Sequence, residues 1–141
     1  MTAPLTHPLR VRYAECDPQG VVFNAHYLAW FDMNMTELWR AAFGSYQTAI
    51  DRGVDIVVVT AELAYRASAR FDDALELEVA VAALGTTSLT TEHAVRREGQ
   101  PLVTGTLRHV MVDPRALTKL PIPEWVRDGL APWTLAGAAV P

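Results

Sequence analysis

The chain has 141 residues, of which half are hydrophobic and a fifth are charged. That length supports one well-buried core, and the composition excludes an intrinsically disordered chain. With 12 Lys and Arg against 16 Asp and Glu, the formal net charge of -4 argues against a protein that mainly binds nucleic acid or an anionic membrane surface.

The single cysteine, Cys16, excludes an internal disulfide framework and a zinc site with several cysteine ligands. A reducing compartment is the simplest interpretation. The longest aliphatic run covers only residues 56–59, far short of a membrane span, and the first residues do not resemble a secretory signal. We therefore expect a cytoplasmic protein without a membrane-spanning segment.

The first elements are an extended run, a turn and a long helix. Residues 9–16 favour a short strand, which stops at Asp17-Pro18-Gln19-Gly20, a sequence typical of a type I turn. Residues 25–43 carry apolar side chains at helical spacing on most sides, so this helix must be enclosed. Asn24 is a suitable N-cap, and Gly44 suits the left-handed position after the helix.

The rest of the chain alternates apolar and polar residues, as strands do. The stretches are 54–70, with a bend or break, then 75–81, 89–97 and 102–113. Short turns between them predict an antiparallel sheet, and residues 123–130 predict a last helical turn that covers an edge. We expect one α+β domain over residues 1–130 and a flexible tail over 131–141.

The densest set of candidate functional residues surrounds the start of the long helix. Asp17 ends the predicted strand, and the unpaired N–H groups of the helix start at Asn24 suit a carbonyl oxygen that becomes negative during attack. A carboxylate there can attack an acyl carbon or take a proton from water. The competing interpretation is structural, because Asp before Pro-x-Gly accepts backbone hydrogen bonds in turns. Tyr13 shares strand parity with Asp17 and is a candidate for the same cleft, although packing explains it too.

Other reactive residue types give weaker signals. His26 falls in the first helical turn, where a neutral imidazole could contact a ligand or simply be structural. Cys16 should point away from Asp17, because neighbouring strand residues face opposite sides. The histidines show no metal-ligand spacing, so we predict no metal. The arginines of the predicted strands could hold phosphates or form a solvated face; they are Arg66, Arg70, Arg96, Arg97 and Arg108.

The segment around Asp17 resembles a known signature. Cys16-Asp17-Pro18-Gln19-Gly20-Val21-Val22, followed by Asn24, Tyr27 and a long apolar helix, is similar to the hotdog-fold acyl-CoA thioesterases of the 4-hydroxybenzoyl-CoA thioesterase family. The likeness runs from about residue 10 to about residue 121. It implies a hotdog fold, an antiparallel sheet wrapped around a central helix. It also implies that two chains join into one continuous sheet, with active sites at that interface, in a homodimer that is often part of a homotetramer.

The resemblance also implies roles for individual residues. Asp17 matches the catalytic carboxylate, which acts as nucleophile or general base, and the N–H of Asn24 matches the donor that polarises the thioester carbonyl. Tyr13 matches a tyrosine associated with the site in the bacterial short-chain branch, where a histidine takes the place of Asn24. The remaining residues that we expect to contact substrate are Gly20, Phe23, His26, Tyr27, Ser68, Arg70 and Ser88.

The leading hypothesis is therefore an acyl-CoA thioesterase for an aromatic or a short- to medium-chain acyl group. It would need no cofactor, since coenzyme A belongs to the substrate. Two alternatives remain open: a hotdog hydratase or dehydratase, and a non-catalytic subunit that binds acyl thioesters without turnover. The sequence lacks the Asp-x-Asn-Pro-x-His type of string that such hydratases carry.

Overall fold

One long helix packs on a face of a six-stranded sheet in the computed structural model, which describes residues 4–139. In chain order the elements are β1 (Leu5–Arg10), a 3-10 turn (Tyr13–Glu15), α1 (Asn24–Phe43), α2 (Tyr46–Asp51), β2 (Asp55–Tyr65), β3 (Ala74–Leu84), β4 (Ser88–Arg97), β5 (Gln100–Val112), α3 (Glu124–Leu130), a second 3-10 turn (Ala131–Trp133) and β6 (Thr134–Ala139). The α+β prediction is confirmed.

The strand order places the longest unpaired edge at β2. The order is β1-β3-β4-β5-β2, all neighbours are antiparallel, and β6 runs parallel to the end of β3. The long strand expected over residues 54–70 ends at Tyr65 and contains a bulge between Val58 and Thr60. The expected bend is therefore present.

The enclosed helix predicted from the sequence is confirmed. The first half of α1 buries Tyr27, Trp30 and Phe31 against the sheet, while the second half packs with α3. The strand side chains beneath the helix follow the alternation of a strand, in which every second residue faces it. In β3 the buried row is Leu75, Leu77, Val79 and Val81.

Close approach of α1 to β5 depends on Gly105. A Cβ atom there would lie 2.5 Å from the Phe31 ring and 2.7 Å from the backbone oxygen of Glu62. The ring of Phe31 in turn stacks on His93, with centroids 4.7 Å apart. Because Gly105 has no side chain, the middle of α1 can pack in direct contact with the sheet.

A chain of polar side chains crosses the core below α1. His7 Nε2 lies 2.6 Å from Asn34 Oδ1, and the Asn34 amide donates to the backbone oxygen of Glu78 at 3.0 Å. Asn34 Nδ2 also lies 3.1 Å from His93 Nδ1, whose other nitrogen is 2.8 Å from Thr91 Oγ1. Burial, with a smaller contribution from His109, lowers the pKa of His93 to about 3, so its imidazole is neutral.

The start of the chain differs from its prediction in two ways. The first strand ends at Arg10, and Tyr13 lies in a 3-10 turn, so the strand parity that paired it with Asp17 is wrong. The helix begins at Asn24 itself, and Phe23 occupies the N-cap position with no side-chain cap. Gly44, at φ 89°, ends the helix as expected.

The end of the chain also differs. Residues 131–139, expected in a flexible tail, form a 3-10 turn and β6, which pairs with β3 at Val81 and Ala83. Residues 140 and 141 lie outside the described part. The last helix, α3, packs its buried Val126 and Leu130 into the core beneath α1 instead of covering a sheet edge. Arg66 and Arg70 lie beyond β2, outside the strands predicted for them.

Candidate active site

A tight reversal of the chain brings Asp17 to the start of α1. The Asp17 N–H donates to the Val21 oxygen at 2.9 Å, and Cys16 and Val22 form an antiparallel bridge. The Gly20 N–H closes the predicted turn on the Asp17 oxygen at 2.9 Å, with Gly20 at φ 79°, a conformation that favours glycine. The turn prediction is therefore confirmed.

The carboxylate of Asp17 is held through one oxygen only. Oδ1 accepts the Gln19 N–H at 2.8 Å, as the structural interpretation of this residue expects. Within residues 4–139, no side chain or backbone group pairs with Oδ2. One oxygen thus fixes the orientation of the group while the other has no partner among the described residues, so the two roles weighed from the sequence are compatible.

The backbone at the start of α1 offers a donor next to this carboxylate. The N–H groups of Phe23 and His26 are paired, with the Glu15 oxygen at 2.9 Å and the Phe23 oxygen at 3.0 Å. The N–H of Asn24 has no acceptor among the described residues. An unpaired N–H at the positive end of a 20-residue helix is suited to a partly negative oxygen.

Asp17 and Asn24 line one open cleft of about 490 Å³, here called the Asp17 cleft. Its other walls come from the end of β2 and the segment after it. The remaining lining residues are Gln19, Val21, Val22, Tyr27, Tyr65, Arg66, Ala67 and Ser68. The Tyr65 hydroxyl donates to the Asn24 oxygen at 3.1 Å, and the Tyr27 hydroxyl accepts the Ala69 N–H at 3.1 Å. These bonds fix the helix start against the opposite wall.

Burial raises the pKa of Tyr27 above its ordinary value, so the phenol is neutral. Its ring packs edge-on against Trp30 and Tyr65, with centroids 5.0 Å and 5.8 Å apart. The predicted substrate-contacting residue Tyr27 therefore forms part of the cleft floor and also supports its two walls.

Glu15 supports the cleft through Trp30, which packs against Tyr27 of the cleft floor. The sequence analysis did not identify this residue. Its buried carboxylate accepts the Trp30 indole N–H at 2.9 Å and the Arg12 backbone N–H at 2.8 Å. Burial by itself raises the pKa of Glu15, but the hydrogen bonds from Arg12 and Trp30 outweigh it and hold the pKa below its ordinary value. The i,i+3 spacing of Arg12 and Glu15 was the only signal for this arrangement.

Tyr13 lies outside the cleft. Its side chain is 81% exposed and packs edge-on against Phe71, with ring centroids 5.9 Å apart. The 3-10 turn directs it outward because Glu15 occupies the buried position of that turn.

Three predicted residues near the helix start do not line the Asp17 cleft either: Gly20, Phe23 and His26. Gly20 acts through the turn, and Phe23 is half exposed and contacts the ring of His26 edge-on at 6.1 Å.

The three remaining residues that were expected to contact substrate lie in different parts of the structure. Ser68 lines the cleft, and its backbone oxygen accepts a hydrogen bond from Arg97 at 3.1 Å. Arg70 forms a bridge with Val21 but does not line the cleft. Ser88 is buried opposite Val110, whereas Tyr65 of the cleft lies opposite Val103, seven residues away along β5. That separation is about 24 Å, so Ser88 belongs to another part of the same chain's sheet.

Cys16 is half-buried, with its Sγ 3.9 Å from the Arg12 backbone oxygen. Within residues 4–139, no three His, Cys, Asp or Glu side chains come together in a way that could hold a metal ion. No helix in that range has the length and apolar character needed to cross a bilayer.

Comparisons with known proteins agree with this architecture. Residues 11–130 match the profile described as the Thioesterase-like superfamily. The acyl-CoA thioester hydrolase YbgC of Escherichia coli O157:H7 is 33% identical over 118 residues, which cover 83% of this chain and 88% of that protein. The 4-hydroxybenzoyl-CoA thioesterase of Pseudomonas sp. strain CBS-3 is 26% identical over 69% of this chain and 71% of its own.

Solved structures show the same fold. The hypothetical protein TT1821 from Thermus thermophilus superposes with a TM-score of 0.83 at 31% identity, over 91% of this chain and 98% of its own. The BH1999 gentisyl-coenzyme A thioesterase superposes with a TM-score of 0.80 at 24% identity, over 90% and 99% of the two chains, which shows the fold alone.

The sheet around a long central helix is therefore a hotdog fold of the thioesterase class, as the sequence resemblance implied. The chain belongs to the Thioesterase-like superfamily. It is a thioester hydrolase.

Proposed function

We propose that the protein hydrolyses an acyl-CoA thioester to a carboxylic acid and free coenzyme A in the Asp17 cleft. The observation that carries this proposal is the convergence of a carboxylate with one free oxygen and an unpaired helix-start N–H in a single cleft. The named activities of the relatives from E. coli and Pseudomonas support it.

The proposed chemistry uses both groups at once. The thioester carbonyl oxygen accepts the Asn24 N–H, which stabilises the negative charge that develops on this oxygen during attack. Asp17 Oδ2 then removes a proton from the attacking water, or attacks the acyl carbon itself and forms an anhydride that water opens. In both routes the C–S bond breaks and the sulfur leaves as the coenzyme A thiolate, which takes up a proton.

The test is a panel of aromatic, short-chain and long-chain acyl-CoAs with released thiol as the signal. We expect release from at least one of them at catalytic enzyme concentrations. Saturable binding without thiol release on every member would contradict hydrolysis and favour the acyl-thioester binding subunit instead.

We propose further that Arg66 binds a phosphate of the coenzyme A moiety. Among residues 4–139, it is the one cationic side chain that lines the Asp17 cleft. Within that range its guanidinium makes a single long hydrogen bond of 3.4 Å, to Thr104 Oγ1, whereas Arg96 and Arg97 are paired with Glu78 and Asp73 at 3.0 Å and 2.7 Å. Because this hydrogen bond is long and weak, the Arg66 guanidinium can reorient toward an anionic ligand at a small cost in free energy.

Arg66→Gln is expected to raise KM for an acyl-CoA about tenfold, the effect of losing one charge-assisted hydrogen bond. The KM for the corresponding acyl-N-acetylcysteamine thioester, which lacks the nucleotide, should stay unchanged. Steady-state kinetics on both substrates check this, with Arg115→Gln as an exposed control. Equal KM changes on both substrates would disprove phosphate binding by Arg66.

We also propose that two chains join through β2 into one continuous sheet. This edge is eleven residues long, and Val57, Val58 and Val59 on it are exposed. An exposed apolar edge of that length is a pairing surface for another strand. The opposite edge strand, β1, has six residues and contains Pro8, which has no N–H to donate.

Val59→Glu is expected to weaken this association about tenfold or more, because it places a charge on each chain within the apolar part of the edge that pairs. Analytical ultracentrifugation over a dilution series measures it. Leu117→Glu, at an equally apolar and exposed position after β5, is the control. A Val59→Glu protein that dimerises as tightly as the wild type would exclude β2 as the interface.

A further inference from the structure

The wall of the Asp17 cleft opposite the start of α1 is a stretch of backbone that belongs to no helix and no named strand. It follows β2, and its first two N–H groups, those of Arg66 and Ala67, donate to the Leu102 oxygen of β5 at 2.8 Å and 3.1 Å. The next three residues, 68–70, are here called the wall segment. Because they lie outside the strands, their position depends on contacts with other parts of the chain.

The wall segment connects the two groups that the proposed reaction uses. On one side, the Val22 N–H donates to the Ala69 oxygen at 2.8 Å, which pairs the segment with the chain reversal that carries Asp17. On the other side, the Ala69 N–H donates to the hydroxyl of Tyr27, near the start of α1, at 3.1 Å. A displaced wall segment therefore moves the carboxylate relative to the free N–H at the helix start.

Arg97, the last residue of β4, holds the wall segment in place. Its Nη1 donates to the Ser68 backbone oxygen at 3.1 Å and to Asp73 Oδ2 at 2.7 Å. The same carboxylate oxygen accepts the Arg70 N–H at 2.9 Å. The ion pair of Arg97 with Asp73 therefore holds the first carbonyl and the last N–H of the wall segment at once.

This ion pair is partly shielded from solvent, since the side chains of Arg97 and Asp73 are 34% and 24% exposed. Burial by itself raises the pKa of Asp73, but the hydrogen bonds from the Arg70 N–H and from Arg97 outweigh it and hold the pKa below its ordinary value. The carboxylate is therefore charged. Hydrogen bonds to a charged group are roughly twice as strong as neutral ones, so these contacts restrain the wall segment firmly.

The sequence left open that Arg97 holds a phosphate, but Arg97 does not line the Asp17 cleft, and its guanidinium has acceptors within the chain. We propose that Arg97, through its ion pair with Asp73, is a positioning residue for thioester hydrolysis. It fixes the wall segment and thereby the distance between the Asp17 carboxylate and the donor N–H of the helix start. The role rests on the function proposed for the Asp17 cleft and concerns the rate of the reaction, not the binding of coenzyme A.

Arg97→Met tests this role, with Arg96→Met as the matched control. Arg96 forms an ion pair with Glu78 at 3.0 Å, with side chains 33% and 21% exposed, but it does not line the Asp17 cleft. Losing either ion pair should lower the melting temperature by a similar amount. We expect kcat for the best acyl-CoA to fall about tenfold in Arg97→Met and to stay within about twofold of the wild type in Arg96→Met, because small displacements of reacting groups are costly in rate.

Two kinetic results would overturn the role of Arg97. A fall in kcat of the same size in Arg96→Met would reduce it to general stability. A rise in KM confined to acyl-CoA would assign Arg97 to a phosphate, since the positioning role requires the same fall in kcat on the acyl-N-acetylcysteamine thioester, which lacks the nucleotide.

Further variants test the ion pair itself. Arg97→Lys keeps the charge but offers a single ammonium for two acceptors, so it should recover about a third of the wild-type kcat. Asp73→Asn should lower kcat about as much as Arg97→Met, and the double variant should be no slower than the slower single variant, because both changes remove one contact. Additive losses of about a hundredfold in the double variant would show that the two residues act independently.

Exchange of backbone amide hydrogens gives a readout that is independent of activity. The N–H groups of Val22 and Ala69 should exchange about tenfold faster in Arg97→Met and at the wild-type rate in Arg96→Met. Unchanged exchange in Arg97→Met would overturn the role of Arg97 even with a lower kcat. A wild type that releases no thiol from any acyl-CoA refutes the proposed function itself, whereas an active wild type with unchanged kcat in Arg97→Met refutes the role of Arg97 alone.

Discussion

Asp17→Asn is expected to lower kcat for thioester hydrolysis about a hundredfold or more, the usual contribution of a general base or a nucleophile. The amide cannot take a proton from water, and it is a poor nucleophile. Its oxygen can still accept the Gln19 N–H, so the turn that holds residue 17 should persist. The measurement is thiol release on the best acyl-CoA of the panel, together with the melting temperature of the variant.

Asp128→Asn, an exposed carboxyl change on α3, is the matched control and should leave the rate unchanged. An Asp17→Asn protein with wild-type kcat would refute the mechanism. Single-turnover hydrolysis in oxygen-18 water then distinguishes the two routes in the wild type. Water that opens the anhydride at the Asp17 carboxyl carbon leaves the label in Asp17 and not in the acid product, whereas the general-base route places it in the acid product alone.

The second large effect concerns stability in mild acid. His93 has a pKa of about 3 in the folded protein, against about 6.5 when unfolded. Below pH 6.5 the unfolded chain binds a proton that the folded chain does not, so the stability from this group is present above pH 6.5 and is lost as the pH falls towards 3. Between pH 7 and pH 5 the loss amounts to about 2 kcal/mol of unfolding free energy.

Urea unfolding at the two pH values measures this loss. We expect the wild type to lose about 2 kcal/mol more than His93→Gln, whose side chain does not titrate. His109, which burial also keeps neutral, is present in both proteins, so the comparison isolates His93 together with its smaller coupling to His109. His26→Gln, outside the polar chain below α1, should behave as the wild type. Equal losses in His93→Gln and the wild type would show that His93 is not held neutral in the fold.

Local patterns were enough to predict the elements that position the site. Alternation identified β3, β4 and β5, the apolar surface of α1 required an enclosed helix, and Asp-Pro-x-Gly identified the turn at Asp17. These features depend on neighbours in sequence. The pairing of Asp17 with the start of the helix followed from them, because only seven residues separate Asp17 from Asn24.

Contacts between distant residues could not be predicted in the same way. Tyr13 was placed in the cleft by strand parity, but the buried bond between Glu15 and Trp30 accompanies a 3-10 turn that directs Tyr13 outward. The opposite wall from Tyr65 to Ser68, the strand β6 and the ion pair of Arg97 with Asp73 all depend on chain packing. The cytoplasmic location stays a prediction.

The two margins of the sheet have a consequence for how far the protein can assemble. β6 pairs with the end of β3 that β1 leaves free, and Pro8 in β1 has no backbone N–H to donate. The β1 edge of the sheet is therefore less able to pair with another strand than the β2 edge. If two β2 strands pair about a two-fold axis, each chain covers the β2 edge of the other. Within the described residues, neither chain then has another long unpaired edge with apolar side chains. Growth by strand addition then stops at a closed pair, and the same feature that invites association protects the protein from forming open-ended fibres.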